Sequence, residues 1–259
     1  MKFKDIGKGR AYNADCLKLF SEMPDGCVDM TLTSPPYDDL RTYNGYCFDF
    51  ETVAKELFRL TAPGGVVVWV VGDETKNGSE TGTSFRQALF FMECGFRLHD
   101  TMIYQKDNPP PVGGPKRYYQ HFEYMFVFSK GVPNTFNPIT AARRNKWEDK
   151  RTQRVKTFTR KKDGSFPEKK LVDLTGKVKV GNIFKYVVGV EKVKNHPAIF
   201  PEALAEDQIS SWTNAGDLVL DPFGGSGTTA VVADRMERRW VTSEISEDYW
   251  NLSLERLRP

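Results

Sequence analysis

Two short segments of the chain carry the residues best suited to chemistry. The first is Ser34-Pro35-Pro36-Tyr37, which follows an apolar run, and the second is a glycine-rich segment at residues 221–229. Two successive prolines lack N–H donors and fix a rigid turn, so the backbone carbonyls beside them are held in place for a ligand. Glycines let the backbone pass close to a ligand at the start of a helix. Both segments are therefore candidate ligand sites, although either pattern also occurs in plain turns.

The glycine-rich segment has the spacing of a nucleotide-binding loop. It contains Gly225-x-Gly227-x-x-Ala230, which is close to the dinucleotide fingerprint. Glu244 follows at the end of the next predicted strand, where an acidic residue would meet a ribose hydroxyl. No Gly-Lys-Ser/Thr follows the glycines, which excludes a phosphate-binding P-loop. The pattern therefore predicts a ligand that contains an adenosine ribose.

Hydropathy predicts the elements that must position these two segments. Short apolar runs predict strands, and apolar residues spaced three and four apart predict helices between them. Their alternation predicts an α/β fold with a doubly wound, mainly parallel sheet, whose ligand crevice lies at the carboxyl ends of the strands. The predicted strands are Val28–Thr33, Gly65–Val71, Leu98–Tyr104, Tyr124–Ser129, Asp217–Leu220 and Trp240–Ser243. The predicted helices are Phe50–Leu60, Ser84–Cys94, Glu202–Trp212, Thr228–Met236 and Glu247–Leu257.

The charge of the chain is unevenly distributed. The net charge is +3, yet residues 141–194 hold 17 Lys and Arg against 6 Asp and Glu, a local balance of +11. Residues 133–181 also interrupt the alternation of strands and helices and contain Pro133, Pro138 and Pro167. We interpret them as an insertion between residues 1–132 and 182–259 of one α/β domain. Such a basic segment indicates either a polyanionic partner or a solvated surface.

Length and composition limit the class of protein. A chain of 259 residues with 39% hydrophobic and 27% charged residues is typical of a single globular domain. The chain has no apolar run of membrane length, and its first ten residues lack the layout of a secretory signal, so we expect a cytoplasmic protein. The four cysteines have no spacing typical of a metal site, and no metal is expected.

Taken together, the motifs resemble those of β-class DNA amino-methyltransferases, in which the catalytic motif precedes the cofactor motif. Thr33-Ser34-Pro35-Pro36-Tyr37 resembles the catalytic motif, and the glycine-rich segment resembles the methyl-donor loop. Asn13-Ala14-Asp15-Cys16-Leu17 and His196-Pro197-Ala198-Ile199-Phe200-Pro201 resemble two further segments that contact the donor. Residues 122–128 resemble a strand that borders the base pocket. The resemblance covers most of the chain except the basic insertion.

This resemblance implies a Rossmann-like fold and a site-specific DNA methyltransferase that uses S-adenosyl-L-methionine. The insertion occupies the position of the family's target-recognition region, which implies contact with double-stranded DNA. Further partners that fit the family are a second copy of the chain, forming a homodimer, and a cognate restriction endonuclease. The implied catalytic residues are Ser34, Pro35, Pro36 and Tyr37. The implied cofactor-binding residues are Asp15, His196, Pro197, Ala198, Phe200, Asp221, Phe223, Gly225, Ser226, Gly227, Thr228 and Glu244. The residues expected near phosphates are Arg143, Arg144, Lys150, Arg151, Arg154, Arg160, Lys161 and Lys162.

The chemistry expected at the catalytic motif is direct methyl transfer to the exocyclic amino group of a flipped base. The Ser34 hydroxyl and the Pro35 carbonyl would accept hydrogen bonds from the amino group and free its lone pair. Tyr37 would stack on the base. No Pro-Cys pair exists to supply the nucleophile that methylation of a ring carbon would need. Serine at the first motif position resembles the cytosine-N4 enzymes, so cytosine N4 is favoured over adenine N6, with exceptions in both directions.

Three alternatives stay open at the level of sequence. A nicotinamide-dependent oxidoreductase would share the glycine pattern and Glu244, but it would need a second mononucleotide-binding half, and only one strand and one helix are predicted after the loop. A non-catalytic nucleic-acid-binding protein would rely on the basic insertion alone, which leaves the Ser34 turn unexplained. A structured RNA could replace DNA as the substrate, because charge alone does not distinguish them.

Overall fold

The computed structural model describes residues 1–36, 48–109, 116–142, 154–156, 165, 171–173, 177–189 and 201–258. Backbone packing divides the chain into two compact units. The first unit joins Met1–Asn137 to Asn182–Pro259, and the second is Pro138–Gly181.

The first unit contains all of the described helices and most of the described strands. Its described helices are α1 (Cys16–Phe20), α2 (Phe50–Leu60), α3 (Thr83–Glu93), α4 (Glu202–Trp212), α5 (Thr228–Arg235) and α6 (Glu247–Arg256). Its described strands are β1 (Lys2–Ile6), β2 (Gly9–Asn13), β3 (Val28–Thr33), β4 (Thr61–Val71), β5 (Thr75–Lys76), β6 (Ser79–Glu80), β7 (Arg97–Lys106), β8 (Phe122–Ser129), β13 (Ile183–Tyr186), β14 (Leu218–Asp221) and β15 (Arg239–Glu244). The second unit contains β9 (Thr140–Ala142), β10 (Arg154–Lys156), β11 (Leu171–Asp173) and β12 (Lys177–Lys179).

Nine described strands of the first unit form one sheet in the order β1-β2-β15-β14-β3-β4-β8-β7-β13. The five pairs β2/β15, β15/β14, β14/β3, β3/β4 and β7/β13 are parallel, and the other three are antiparallel. Helix α2 connects β3 to its neighbour β4, on one side of the β14/β3 pair. Helix α5 connects β14 to its neighbour β15, on the other side of that pair. The direction of winding therefore reverses between β3 and β14, and a crevice forms at such a switch point outside the carboxyl ends of the two strands.

The inner strand β4, next to the middle of the sheet, shows why the sheet is covered on both faces. Val66, Val68 and Val70 pack into one core with residues of α4, α5 and α6. The alternate residues Val67, Trp69 and Val71 pack into a second core with residues of α1, α2 and α3. All six side chains are at most 1% exposed. A continuous apolar run is typical of a strand that is buried on both faces.

The α/β class with a mainly parallel sheet, predicted from the alternating pattern, is confirmed. Strand β3 and helices α2 and α4 have the predicted bounds. The β1–β2 hairpin and the short helix α1 were not predicted from the sequence. Most of β1 is exposed, so it lacks the apolar pattern on which the strand predictions relied. Strand β13, which pairs with β7 at the far edge of the sheet, was not predicted either.

In the second unit, β9 pairs with β12 and β10 pairs with β11, both antiparallel. No helix in the described parts of the chain is long and apolar enough to cross a membrane.

Candidate functional site

A buried hydrogen bond connects the two segments singled out from the sequence. The Thr33 hydroxyl, at the end of β3, donates to Asp221 Oδ1, at the end of β14, over 2.7 Å. Thr33 is fully buried and Asp221 is 3% exposed. The backbone N–H of Phe223 donates to the same carboxylate oxygen over 3.1 Å. The Asp221 side chain thus joins the start of the segment at residues 34–37, called the Ser34 turn, to the start of the glycine-rich segment at residues 221–229, called the glycine loop. The two bonded residues are 188 positions apart in sequence.

The environment of Asp221 has opposing effects on its carboxyl group. Burial raises the pKa of Asp221, while hydrogen bonds from Thr33, Thr229 and the Phe223 N–H act to lower it. A buried carboxylate is costly unless donors surround it. The Thr33 and Phe223 donors come from β3 and from the loop itself, so the positions of these two segments are coupled through this one group.

The Ser34 turn follows Thr33 directly, at the switch point of the sheet. Pro35 is buried, and Ser34 and Pro36 are partly buried. The turn therefore lies beside the glycine loop, as the sequence analysis expected. Tyr37, the fourth predicted catalytic residue, lies outside the described residues.

The glycine loop owes part of its composition to packing within the fold. Gly225 and Gly227 have φ values of +50° and +81°, which residues with a Cβ adopt at a cost. A Cβ on Gly227 would lie 2.8 Å from Cβ of Ser253 on α6, and one on Gly224 would lie 2.1 Å from Oγ1 of Thr242. From the sequence these glycines were expected to let a ligand approach the backbone, with a plain tight turn as the alternative. At Gly224 and Gly227 the close approach of α6 and β15 already requires glycine.

Glu244 and the segment around Asp15 meet at the carboxyl end of β15. Glu244 accepts hydrogen bonds from the backbone N–H of Gly225 and of Ser246, both over 2.8 Å. Burial raises the pKa of the Glu244 carboxyl group. The Asn13 side-chain amide donates to the Glu244 backbone carbonyl over 3.0 Å. Asp15 follows two residues later, and its Oδ1 accepts from the Leu17 N–H over 2.8 Å, which caps α1.

The other predicted residues of the loop have their side chains turned into the protein. The Phe223 ring packs edge-on against Phe48, with 5.2 Å between ring centroids. Ser226 and Thr228 are 3% and 4% exposed, and both hydroxyls lie within hydrogen-bonding distance of Arg256 Nη1. These contacts attach the loop to the aromatic core through Phe223 and to α6 through Ser226 and Thr228.

Several predicted site residues fall on parts of the chain that the structure does not describe. For Arg154 the structure describes only the backbone, in β10. The predicted donor-side residues outside the described ranges are His196, Pro197, Ala198 and Phe200. The predicted phosphate contacts outside them are Arg143, Arg144, Lys150, Arg151, Arg160, Lys161 and Lys162.

The structure also shows residues that the sequence analysis did not assign to the site. Thr33 stood within the quoted motif, but no role was predicted for it. Asn13 also stood within a quoted segment, and only its amide contact with β15 reveals its position. Arg256 lies at the end of the last helix, in no motif, and nothing in the linear sequence associates it with the loop.

Comparison with known proteins identifies the family of this arrangement. Residues 28–255 match a family model described as DNA methylase, the N6/N4 type. The orphan methyltransferase M.BamHII of Bacillus amyloliquefaciens is 53% identical to the chain over 243 residues, which are 90% of this chain and 90% of the relative.

Solved structures share the fold over nearly the whole chain. The cytosine-N4-specific PvuII DNA methyltransferase superposes with a TM-score of 0.72 at 21% identity and covers 100% of this chain and 91% of its own. M1.HpyAVI, solved in complex with S-adenosylmethionine, superposes with a TM-score of 0.65 at 25% identity and covers 97% of this chain and 100% of its own.

The bond between Thr33 and Asp221 predicts a difference between two threonines of the same strand. Thr33→Val should lower the free energy of unfolding by about 1–3 kcal/mol, because the buried carboxylate loses a donor. Thr31 is a matched control, since it is equally buried and its hydroxyl has no hydrogen-bond partner among the described residues. Thr31→Val should leave the stability unchanged or raise it. Denaturant unfolding of both variants measures the difference, and equal losses would contradict the role given to Thr33.

Proposed function

The chain belongs to the N6/N4 DNA methylase family, and we propose that it transfers a methyl group from S-adenosylmethionine to cytosine N4 in double-stranded DNA. The observation that carries the proposal is the Thr33–Asp221 hydrogen bond, because it places the Ser34 turn beside the glycine loop at the switch point of the sheet. Family membership favours this reading over a nicotinamide-dependent oxidoreductase, which shares only the glycine spacing and Glu244.

The residues at the end of β15 fit the nucleoside part of the methyl donor. The Glu244 carboxylate accepts the backbone N–H groups of Gly225 and Ser246, and because a carboxylate offers about four lone-pair sites it can also accept a ribose hydroxyl. Asp15 uses Oδ1 to cap α1, which leaves Oδ2 for the adenine amino group. The first N–H groups of α5 have no acceptor within the helix and add donors at the edge of the loop. When bound, S-adenosylmethionine supplies an electrophilic methyl group on a sulfonium.

The remaining donor-side residues complete the proposed site in different ways. Asp221 and Phe223 position the loop, one through hydrogen bonds at its start and the other through packing. Gly225 and Gly227 supply its backbone conformation. His196, Pro197, Ala198 and Phe200 keep the donor-side packing role predicted from the sequence.

At the Ser34 turn, the chain acts on the amino group of the base. The amino nitrogen is a poor nucleophile because its lone pair is delocalised into the ring. We assign the Ser34 hydroxyl and the Pro35 carbonyl as acceptors of its N–H groups, which favours a tetrahedral nitrogen with a free lone pair. Pro36 fixes the turn, and Tyr37 stacks on the face of the flipped base. Serine at position 34 supports cytosine as the base.

We assign sequence recognition to residues 133–181, where the basic residues are concentrated. The 53% identical relative is named an orphan methyltransferase, which supports action without a cognate restriction endonuclease. An endonuclease encoded beside this chain that cuts the same DNA sequence would contradict that part of the proposal. Homodimer formation stays a prediction from the resemblance.

Analysis of the product base tests the proposed reaction. Unmethylated genomic DNA is incubated with the protein and isotope-labelled S-adenosylmethionine, then digested to nucleosides for mass spectrometry. We expect labelled N4-methylcytosine in DNA and no label in structured RNA. Labelled N6-methyladenine would keep the reaction class and overturn the base. Absence of label in both nucleic acids, from folded protein, would contradict methyl transfer.

Salt dependence tests the role of the basic segment. DNA affinity should fall steeply as salt rises, because each phosphate contact releases counterions. Replacing one contacting residue by Ala, for example Arg143 or Lys161, should reduce the slope of log affinity against log salt by about one. Titrations at several salt concentrations measure this slope. A slope unchanged by any of the eight substitutions would place the phosphate contacts elsewhere.

A further inference from the structure

The last turn of α6 contacts the glycine loop through two residues of the same helix face. Ser253 lies against Gly227. Arg256, three residues later, has its side chain 15% exposed, and Nη1 lies 2.9 Å from the Ser226 carbonyl, 2.9 Å from the Ser226 hydroxyl and 3.1 Å from the Thr228 hydroxyl. Residues three apart on a helix project from one side, so one turn of α6 both approaches the loop and binds it.

From this geometry we infer that Arg256 is a positioning residue for methyl-donor binding, acting by holding the backbone of the glycine loop through Ser226 and Thr228. The inference rests on the proposed function, since it deepens the role of the donor loop. It also changes the roles of two residues predicted to bind the cofactor. The Ser226 and Thr228 hydroxyls are buried and bound to Arg256, so their side chains act through the loop and do not contact the donor.

Two different elements, β15 and α6, bind the loop. Glu244 accepts the Gly225 N–H on the side of β15, and Arg256 donates to Ser226 on the side of α6. A loop fixed before binding loses less conformational freedom when the ligand arrives, which increases affinity. Loss of the Arg256 contacts would release one side of the loop while the Thr33–Asp221 bond and the Ser34 turn stay in place.

An arginine suits this position better than a lysine. The planar guanidinium presents five N–H donors in a fixed fork, and here Nη1 faces the loop while Nη2 donates to Glu202 Oε1 over 2.8 Å. A lysine ammonium is a single point charge and cannot keep this arrangement. Lysine at position 256 should therefore restore only part of the function.

A purely structural role for Arg256, the attachment of α6 to α4, has a matched control. Arg235 on α5 also binds Glu202, over 2.9 Å from Nη1 to Oε2. Its side chain is 50% exposed, and none of its contacts in the described chain reaches the glycine loop. Arg235→Met thus removes an arginine from the same glutamate without releasing the loop.

Calorimetry and steady-state kinetics on the full chain test the inference. Arg256→Met should weaken S-adenosylmethionine binding and raise the donor KM by about tenfold, the order expected when a charge-assisted hydrogen bond is lost. The kcat at saturating donor and the KM for DNA should stay at wild-type values. Arg256→Lys should lie between Arg256→Met and wild type, and Arg235→Met should match wild type. Donor affinity unchanged in Arg256→Met, or equally reduced in Arg235→Met, would overturn the inference.

Hydrogen exchange, measured without S-adenosylmethionine, tests whether Arg256 holds the glycine loop in place. Backbone amides of residues 225–228 should exchange faster in Arg256→Met than in wild type or Arg235→Met, and equal exchange in all three would overturn the inference. If Arg256→Met fails to fold, Ser226→Ala and Thr228→Val can replace it, because each removes one acceptor of the Arg256 hydrogen bonds. Both variants should speed amide exchange in the loop and weaken S-adenosylmethionine binding. Unchanged exchange and affinity in both variants would overturn the inference. If wild-type protein binds no donor, the proposed function fails, and the exchange experiment still decides the role of Arg256.

Discussion

The hydrogen bond between the Thr33 hydroxyl and the Asp221 carboxylate is the contact on which the site depends. It lies between β3 and β14. Among the described strands of the sheet, this is the one neighbouring pair from which the chain continues in opposite directions along the sheet. A buried carboxylate must be surrounded by donors, and here the donors come from the strand before the Ser34 turn and from the loop that follows β14. Because the buried Asp221 carboxylate needs hydrogen-bond donors, it fixes the relative positions of two segments that are far apart in sequence.

The rest of the site keeps the glycine loop in the position that Asp221 sets. Phe223 anchors it in the aromatic core of one sheet face, Glu244 binds its backbone from β15, and Arg256 binds it from α6. These contacts belong to different elements and different kinds of interaction. Groups that contact a ligand must be held within about 0.5 Å of their productive positions, which requires surrounding residues that fix them by packing and hydrogen bonds. The glycines fit this arrangement as well, since Gly227 is required by the approach of α6.

The sequence predicted those features that local physics determines. Strand β3 was predicted with its bounds because an apolar, partly β-branched run ends at two prolines, and α2 because its apolar residues recur along one face. The adjacency of the Ser34 turn and the glycine loop followed from the topology of a doubly wound sheet. What could not be predicted depends on tertiary contacts. The partner of Asp221 is 188 residues away, Arg256 is 30 residues from Ser226, and the exposed β1 strand is held by its pairing with β2 rather than by an apolar pattern.

The central claim is that the two segments have separate roles. The Ser34 turn acts on the base and the glycine loop binds S-adenosylmethionine, although one buried hydrogen bond joins the two segments. Single-turnover methyl transfer and donor affinity, measured together on Ser34→Ala, test it most directly. The account predicts that transfer slows by about 10²–10³-fold, as when one preorganised polar contact is lost from a transition state, while S-adenosylmethionine binds with wild-type affinity. Transfer at the wild-type rate, or a loss of donor affinity as large as the loss of rate, would contradict it.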